Sequence, residues 1–173
     1  MLTLNCNGDD PKAPELRGGI IHPMTTVKVI EVENEQATRS LGEKLGLLLH
    51  GGEVVELVGD VGAGKTTFVK GLAHGLSIDE DVQSPSFTIS RVYEARDDLE
   101  LAHYDFYRLN DAGIMANELT ETTQDSQSIT VIEWADIVEG VLPARRIRIT
   151  FTAPTETTRT LTFDGDETLL EKL

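Results

Sequence analysis

The chain has a single cysteine, Cys6, among 173 residues. That excludes an internal disulfide and any metal cage built from cysteine thiolates. Nothing in it approaches the about 20 consecutive apolar residues that cross a bilayer. The N-terminus lacks the basic start and continuous apolar core of a secretory signal. Basic residues are scarce as well: 15 Lys+Arg stand against 30 Asp+Glu, for a net charge of −15. A protein that grips a nucleic-acid backbone needs a basic surface. The one short basic cluster, Arg145, Arg146 and Arg148, reads instead as the solvated face of a strand. The composition therefore argues against extended nucleic-acid binding by this chain alone, and the acidity reads as solubility or as a face for a basic protein partner. With 39% hydrophobic residues the chain is globular. The expectation is one cytoplasmic domain over 25–173, preceded by a flexible tail over 1–24 that has Gly, Pro and mixed charge without periodicity.

What is present is more specific. Gly59-Asp60-Val61-Gly62-Ala63-Gly64-Lys65-Thr66 fits G-x-x-x-x-G-K-[ST], the phosphate-binding loop. Glu53 to Val58 before it reads as a strand. Lys65 to Leu76 after it reads as a helix with Phe68, Val69, Leu72, Ala73 and Leu76 on one face. Strand, glycine loop and helix are what the chemistry requires. Glycines let the backbone turn its N–H groups onto a polyanion, and the helix N-terminus adds partial positive charge. Lys65 supplies a mobile cation for β/γ-phosphates, and Thr66 offers a hydroxyl to Mg²⁺.

The remaining elements follow from pattern. Thr26 to Val32 reads as an edge strand, and Asn34 as the cap of a helix through Leu41, Leu45, Leu48 and Leu49, stopped by Gly51-Gly52. Pro85 marks a loop over 77–86. Phe87–Tyr93 and Leu99–Tyr107 read as a hairpin. Residues 111–127 are ambiguous, with part of them helical. Ile129–Ile132 is a buried strand. Pro143 separates a short helix from a second hairpin, 146–152 with 159–163, and 168–173 closes the chain as a helix. A βα phosphate loop among hairpins predicts a mixed α/β sheet with its ligand at the carboxyl ends of the strands.

Phosphate chemistry also needs carboxylates for the metal or the nucleophile. Glu133 ends one strand and Asp105 stands on another. If both strands neighbour the phosphate-loop strand, both acids face the Mg²⁺ edge. The alternative for each is a strand-end carboxylate in solvent or a local ion pair, such as Asp105 with Arg108. The loop Ser84-Pro85-Ser86-Phe87-Thr88 offers hydroxyls that sense a γ-phosphate, or is an ordinary turn. Neither Asn-Lys-x-Asp nor Asp-x-x-Gly occurs, which favours ATP over GTP.

Four blocks in order make the chain resemble the TsaE (YjeE) family: Gly59 to Phe68, Ser84 to Thr88, His103-Tyr104-Asp105-Phe106-Tyr107-Arg108-Leu109, and Ile132-Glu133-Trp134. The resemblance runs from about Thr26 to Phe163. It implies a P-loop NTPase-like, three-layer mixed sheet with hairpins, and the cofactors ATP and Mg²⁺. It implies that Val61, Gly62, Ala63, Gly64, Lys65 and Thr66 wrap the phosphates with Thr67 beside them, and that Thr66 and Glu133 hold Mg²⁺. Asp105 would be the acid needed with Lys65 for hydrolysis. Ser86 and Thr88 would lie in a switch-like loop, Trp134 near the nucleotide, Glu35 near the adenine, and Thr157 in a turn over it. The resemblance further implies an accessory ATPase that works with a TsaB–TsaD heterodimer in threonylcarbamoyl transfer to adenosine 37 of tRNA, touching tRNA only through those partners. Intrinsic turnover is expected to be slow, for want of an arginine finger better than Arg108. The chain departs from the family pattern at Trp134-Ala135, where Trp-Pro is usual, and at Ser86, where Thr is usual. It departs again at 117–124, where an aromatic block is usual. Two other readings share the phosphate loop: a nucleotide-dependent binding switch, and a small-molecule kinase. Residues 111–128 hold no Arg or Lys, which argues against a kinase lid there.

Overall fold

The computed structural model describes residues 25–173, so the tail expected over 1–24 lies outside the described residues. Among the described residues seven strands form one sheet: β1 (Thr25–Val32), β2 (Val54–Val58), β3 (Ser90–Glu94), β4 (Glu100–Asp105), β5 (Ser128–Glu133), β6 (Ile147–Thr152) and β7 (Arg159–Asp166). Their spatial order is β1-β7-β6-β2-β5-β4-β3. The centre, β6-β2-β5-β4, is parallel, while β3, β7 and β1 join antiparallel to their neighbours. The phosphate-loop strand β2 is thus central, and its burial is near complete. A buried parallel strand reads as a continuous apolar run, which Val54-Val55-Glu56-Leu57-Val58 is but for Glu56. Glu56 is 3% exposed and accepts from Arg146 Nε at 2.7 Å, with Arg148 at 3.5 Å. The basic cluster therefore answers buried and local acids, Arg145 meeting Asp166.

Helices cover both faces. On one lie α1 (Glu35–Leu48) and α2 (Lys65–Gly75), whose Leu41, Leu45, Phe68, Val69 and Leu72 pack on Val55, Leu57, Val131 and Ile149. On the other, α3 (Met115–Gln124) and a 3₁₀ helix (Ala135–Val141) bring Leu119 and Val138 onto Tyr104, Phe106 and Ile132. A short α4 (Glu167–Leu170) follows β7. The departure at 117–124 is thus a helix anchored by one leucine, and Ala135 is buried where the family usually has proline.

Asn34 caps α1 by accepting from Ala37 N at 2.8 Å, as its position predicts. The helix ends at Leu48 with an extended Leu49, two residues before Gly51 and Gly52 take up positive φ. Phe87 does not belong to a strand. Residues 86–88 form a turn, Phe87 is 84% exposed, and β3 begins at Ser90. Pro85 explains the shift, because its carbonyl accepts from both Thr88 N and Ile89 N and closes a turn ahead of the strand.

α1 and α2 run side by side and parallel, since Arg39 abuts Gly71 and Glu43 abuts Gly75. The contact is backbone on backbone. A Cβ on Gly71 would lie 2.7 Å from the Arg39 carbonyl carbon, and one on Gly46 would lie 3.1 Å from Gly75 Cα. The spacings Gly42-x-x-x-Gly46 and Gly71-x-x-x-Gly75 put these glycines on facing stripes. Parallel packing brings both helix N-termini to one edge of the sheet, the edge where β2 ends.

Candidate functional site

The phosphate loop turns from β2 into α2 through Gly62 (φ 81°) and Gly64 (φ 105°), a conformation that a side chain resists. Gly64 is the N-cap of α2 and offers no side-chain oxygen, so the first amides of α2 have no side-chain cap. Those N–H groups and the helix dipole are what an anion seeks. Asn34 does the opposite for α1 by capping its own helix.

Lys65 is 5% exposed. Its Nζ donates to Gly59 O (2.8 Å) and Asp60 O (3.1 Å), lies 3.8 Å from Glu133 Oε2, and sits 4.8 Å from the Trp134 ring centroid. The ammonium is folded onto its own loop, within reach of the space the loop encloses. Trp134 holds φ 59°, a left-handed conformation that costs a bulky residue on the order of 1–3 kcal/mol. Its ring lies 4.9 Å from that of Tyr107, which helps to hold the indole beside the lysine.

The two acids lie side by side, Asp105 opposite Glu133 in the β4–β5 register, and Leu57 of β2 opposite Glu133. Only Glu133 is on a strand adjacent to β2; β5 intervenes before β4, so Asp105 stands one strand further out. Nor does Asp105 pair with Arg108. That guanidinium lies 4.3 Å from the Phe87 ring centroid instead. Asp105 Oδ2 accepts from the hydroxyls of Ser84 and Ser86, and Oδ1 accepts from Tyr107 N at 3.0 Å. The hydroxyl-rich loop is latched to this acid. The latch ends at Ile89, whose φ of 71° is unfavourable for a β-branched side chain. Thr88 lies in the same turn with its side chain exposed.

Two residues at this edge carry roles that sequence alone did not assign. His103 is fully buried, with Nε2 3.1 Å from Glu133 Oε1 and Nδ1 without a partner among the described residues. A ring N–H at Nε2 donated to the carboxylate would hold the glutamate in place. The signal was its place two residues before Asp105, on the same strand face. Arg159 opens β7 and donates to the phosphate loop from Nε to Ala63 O at 3.0 Å. Its Cα partner is Val32 of β1, and no spacing in the sequence links it to residue 63.

A hollow of about 320 Å³ lies beside the loop. Asn34, Glu35 and Thr38 of α1 line one wall, and Gly62, Gly64 and Thr67 the second. Glu156, Thr157 and Arg159 line the third. Glu35 and Thr157, far apart in sequence, are therefore brought together with the loop. A larger hollow of about 440 Å³ lies by His50, Glu53 and Arg145, at the other end of the strands and away from both glycine-loop and acids. Thr66, Asp105 and Glu133 are hard oxygen donors of the kind Mg²⁺ takes. Among the described residues no three His, Cys, Asp or Glu gather as a metal cage. The donors thus suit a cation that completes its shell with water and phosphate oxygens. Glycine loop, open helix N-terminus and lysine likewise suit a polyphosphate.

Fold and loop together define a P-loop NTPase-like α/β protein. The family model described as "Threonylcarbamoyl adenosine biosynthesis protein TsaE" matches residues 32–161. The chain is 36% identical over 131 residues to the tRNA threonylcarbamoyladenosine biosynthesis protein TsaE of Bacillus subtilis, covering 75% of this chain and 80% of that one. It is 39% identical over 127 residues to the protein of that name from Treponema pallidum, covering 73% and 93%. The crystal structure of Bacillus subtilis YdiB is similar with a TM-score of 0.71 at 32% identity, covering 86% of this chain and 95% of that one. The chain belongs to the TsaE family of threonylcarbamoyladenosine biosynthesis proteins.

Proposed function

We propose that the chain is a Mg²⁺-dependent ATPase, an accessory subunit for threonylcarbamoyl transfer to adenosine 37 of tRNA that acts with a TsaB–TsaD heterodimer. The observation that carries this is the convergence of Lys65, Glu133 and Asp105 at the mouth of an open-ended helix. A phosphate loop alone binds; a loop facing two buried acids has the parts for hydrolysis. Lys65 would leave the carbonyls of Gly59 and Asp60 for β/γ-phosphate oxygens, and Val61 to Thr67 would supply N–H groups and hydroxyls. Thr66 and Glu133 would hold the cation, whose chemistry is to neutralise charge on the phosphates. His103 would keep Glu133 oriented. Asp105 would order the attacking water, once the hydroxyls of Ser84 and Ser86 let it go. The acid that receives the water is therefore covered by the loop that senses the γ-phosphate.

The Glu35 wall suits the nucleoside end, because a carboxylate beside phosphates is repelled. Its acceptor oxygens suit an adenine amino group, with Thr157 across the hollow. Trp134, beside Lys65, would report binding by its fluorescence. An acidic protein of this kind works in the cytoplasm and meets tRNA through its partners, which agrees with the net charge of −15.

The test compares ATP hydrolysis by this chain with and without TsaB–TsaD. The expected result is slow turnover alone and a clear rise with the pair; an unchanged rate defeats the accessory-subunit reading. A second reading, ATP as a pure affinity switch, draws on the latch between the Ser84–Ser86 loop and Asp105. Asp105→Asn separates them: if threonylcarbamoyl transfer continues at the normal rate without hydrolysis, the switch reading holds.

A further inference from the structure

Arg159 has a charge without a carboxylate. Among the described residues no acid lies within ion-pair distance of it, a property it shares with Arg39 and Arg108, whereas Arg91, Arg96, Arg145, Arg146 and Arg148 each meet one. What sets Arg159 apart is the number of backbone carbonyls it meets. Its guanidinium is spent on main-chain carbonyls instead. Nε donates to Ala63 O at 3.0 Å and Nη2 to Gly62 O at 3.4 Å. Nη1 faces the carbonyls of Thr158 (2.9 Å), Glu156 (3.1 Å) and Thr155 (3.3 Å). One planar fork thus joins two pieces of backbone that topology brings to the same edge. β7 runs antiparallel to β6, so its first residue stands where β2 ends and the phosphate loop begins.

The direction of the bond to Ala63 matters. A trans peptide sets its N–H opposite its C=O. With the Ala63 carbonyl turned to Arg159, the Gly64 N–H of the same peptide faces away from the guanidinium. The guanidinium also packs close: a Cβ on Gly64 would lie 3.7 Å from Arg159 Nε.

We infer that Arg159 is a positioning residue: it fixes the Ala63–Gly64 peptide with its N–H toward the polyphosphate and ties the 155–158 turn to the phosphate loop. Order in the phosphate loop and order in the turn beside the nucleoside are then coupled. Its charge adds attraction for a diphosphate or triphosphate. Lysine cannot replace it, because one ammonium point charge does not span two backbone segments in a plane. This inference rests on the nucleotide reading above, although its first arm below needs no nucleotide.

The experiment uses the full chain with Arg159→Gln and Arg159→Lys, both checked for a native circular-dichroism melt. In the nucleotide-free protein, amide exchange across residues 59–66 and 155–158 should rise together in both variants, with the β-sheet core unchanged. Calorimetry with ADP and Mg²⁺ should show affinity reduced about tenfold in Arg159→Gln, the scale of one charge-assisted hydrogen bond. Arg159→Lys should not restore it. Millimolar methylguanidinium added to Arg159→Ala should recover part of the loss. Unchanged exchange in both segments overturns the tie. Unchanged ADP affinity with a lowered kcat also overturns the inference, making Arg159 a group that acts on the reaction itself. Full rescue by lysine reduces the role to charge and overturns the peptide-fixing claim. Failure of the parent protein to bind any nucleotide defeats the functional reading, while the exchange arm still decides whether Arg159 organises the loop.

Discussion

Gly71→Ala adds one methyl group where α2 touches α1, and the structure says what it meets. Its Cβ would lie 2.7 Å from the Arg39 carbonyl carbon and 3.0 Å from Arg39 Cα. The Arg39 carbonyl oxygen lies closer still, and carbon pairs rest at about 3.5–4.0 Å, so the helices must part by more than about 1 Å. No rotamer relieves this, since both neighbours are backbone. Overpacking of that kind costs about 3 kcal/mol at the upper end of its usual range. Against it stands the helix-interior preference for alanine over glycine, about 1 kcal/mol. The net expectation is a loss of about 2 kcal/mol, or a drop in Tm of about 4–8 °C for a chain of this size. Urea unfolding followed by circular dichroism reads it as a lower midpoint at constant slope. Gly140→Ala is the control, with nothing within 4 Å of the added carbon and a shift within about 0.5 kcal/mol. A Gly71→Ala protein as stable as the parent, or more so, refutes the reasoning, because propensity would then outweigh the contact.

Arg146→Ala leaves Glu56, 3% exposed, with only the 3.5 Å contact to Arg148, and should cost about 3 kcal/mol in the same assay. Burial raises the Tyr104 phenol above its ordinary value, against the lowering effect of its bond to Thr122 and with Glu118 adding to the rise. Its folded form therefore keeps the proton longer than the unfolded chain. The stability involved is intact below the unfolded value of about 10 and is lost as pH climbs through the folded one. Tyr104→Phe should flatten that alkaline decline in unfolding midpoint; an unaltered slope contradicts it. The double variant S84A/S86A removes both hydroxyls from Asp105 Oδ2. Chymotrypsin should then cut after the exposed Phe87 several times faster, and an equal rate would mean that the turn at Pro85 holds the loop unaided.

Local chemistry made much of this legible. Asn34, Gly62, Gly64 and the apolar face from Phe68 to Leu76 each state their own conformation, so α1, β2 and α2 follow from sequence. Strand order does not. Nothing in the residues of β4 and β5 says which of them lies against β2, so the placing of Asp105 one strand out waits on the sheet. Phe87 looked like strand because β-propensity ignores a proline two residues upstream that closes a turn. Arg108 looked like a partner for Asp105, until the serines proved nearer. The glycine stripes of α1 and α2 are legible as four-residue spacings, yet which helix faces which is a tertiary fact. Arg159 carried no signal, because its partners are carbonyl oxygens, and every residue has one.

The sheet order also dictates when the loop becomes a site. The phosphate loop leaves the ribosome early, but both neighbours of its strand, β5 and β6, come from the second half of the chain. The first described strand, β1, has to wait for β7, the last. Pairings so distant along the chain form slowly and late. A nascent chain that ends after α2 carries the whole glycine motif without the acids, the tryptophan or the arginine that complete it. If the proposed function holds, nucleotide capture is a property of the finished polypeptide, and the half-made chain is blind to the nucleotide around it.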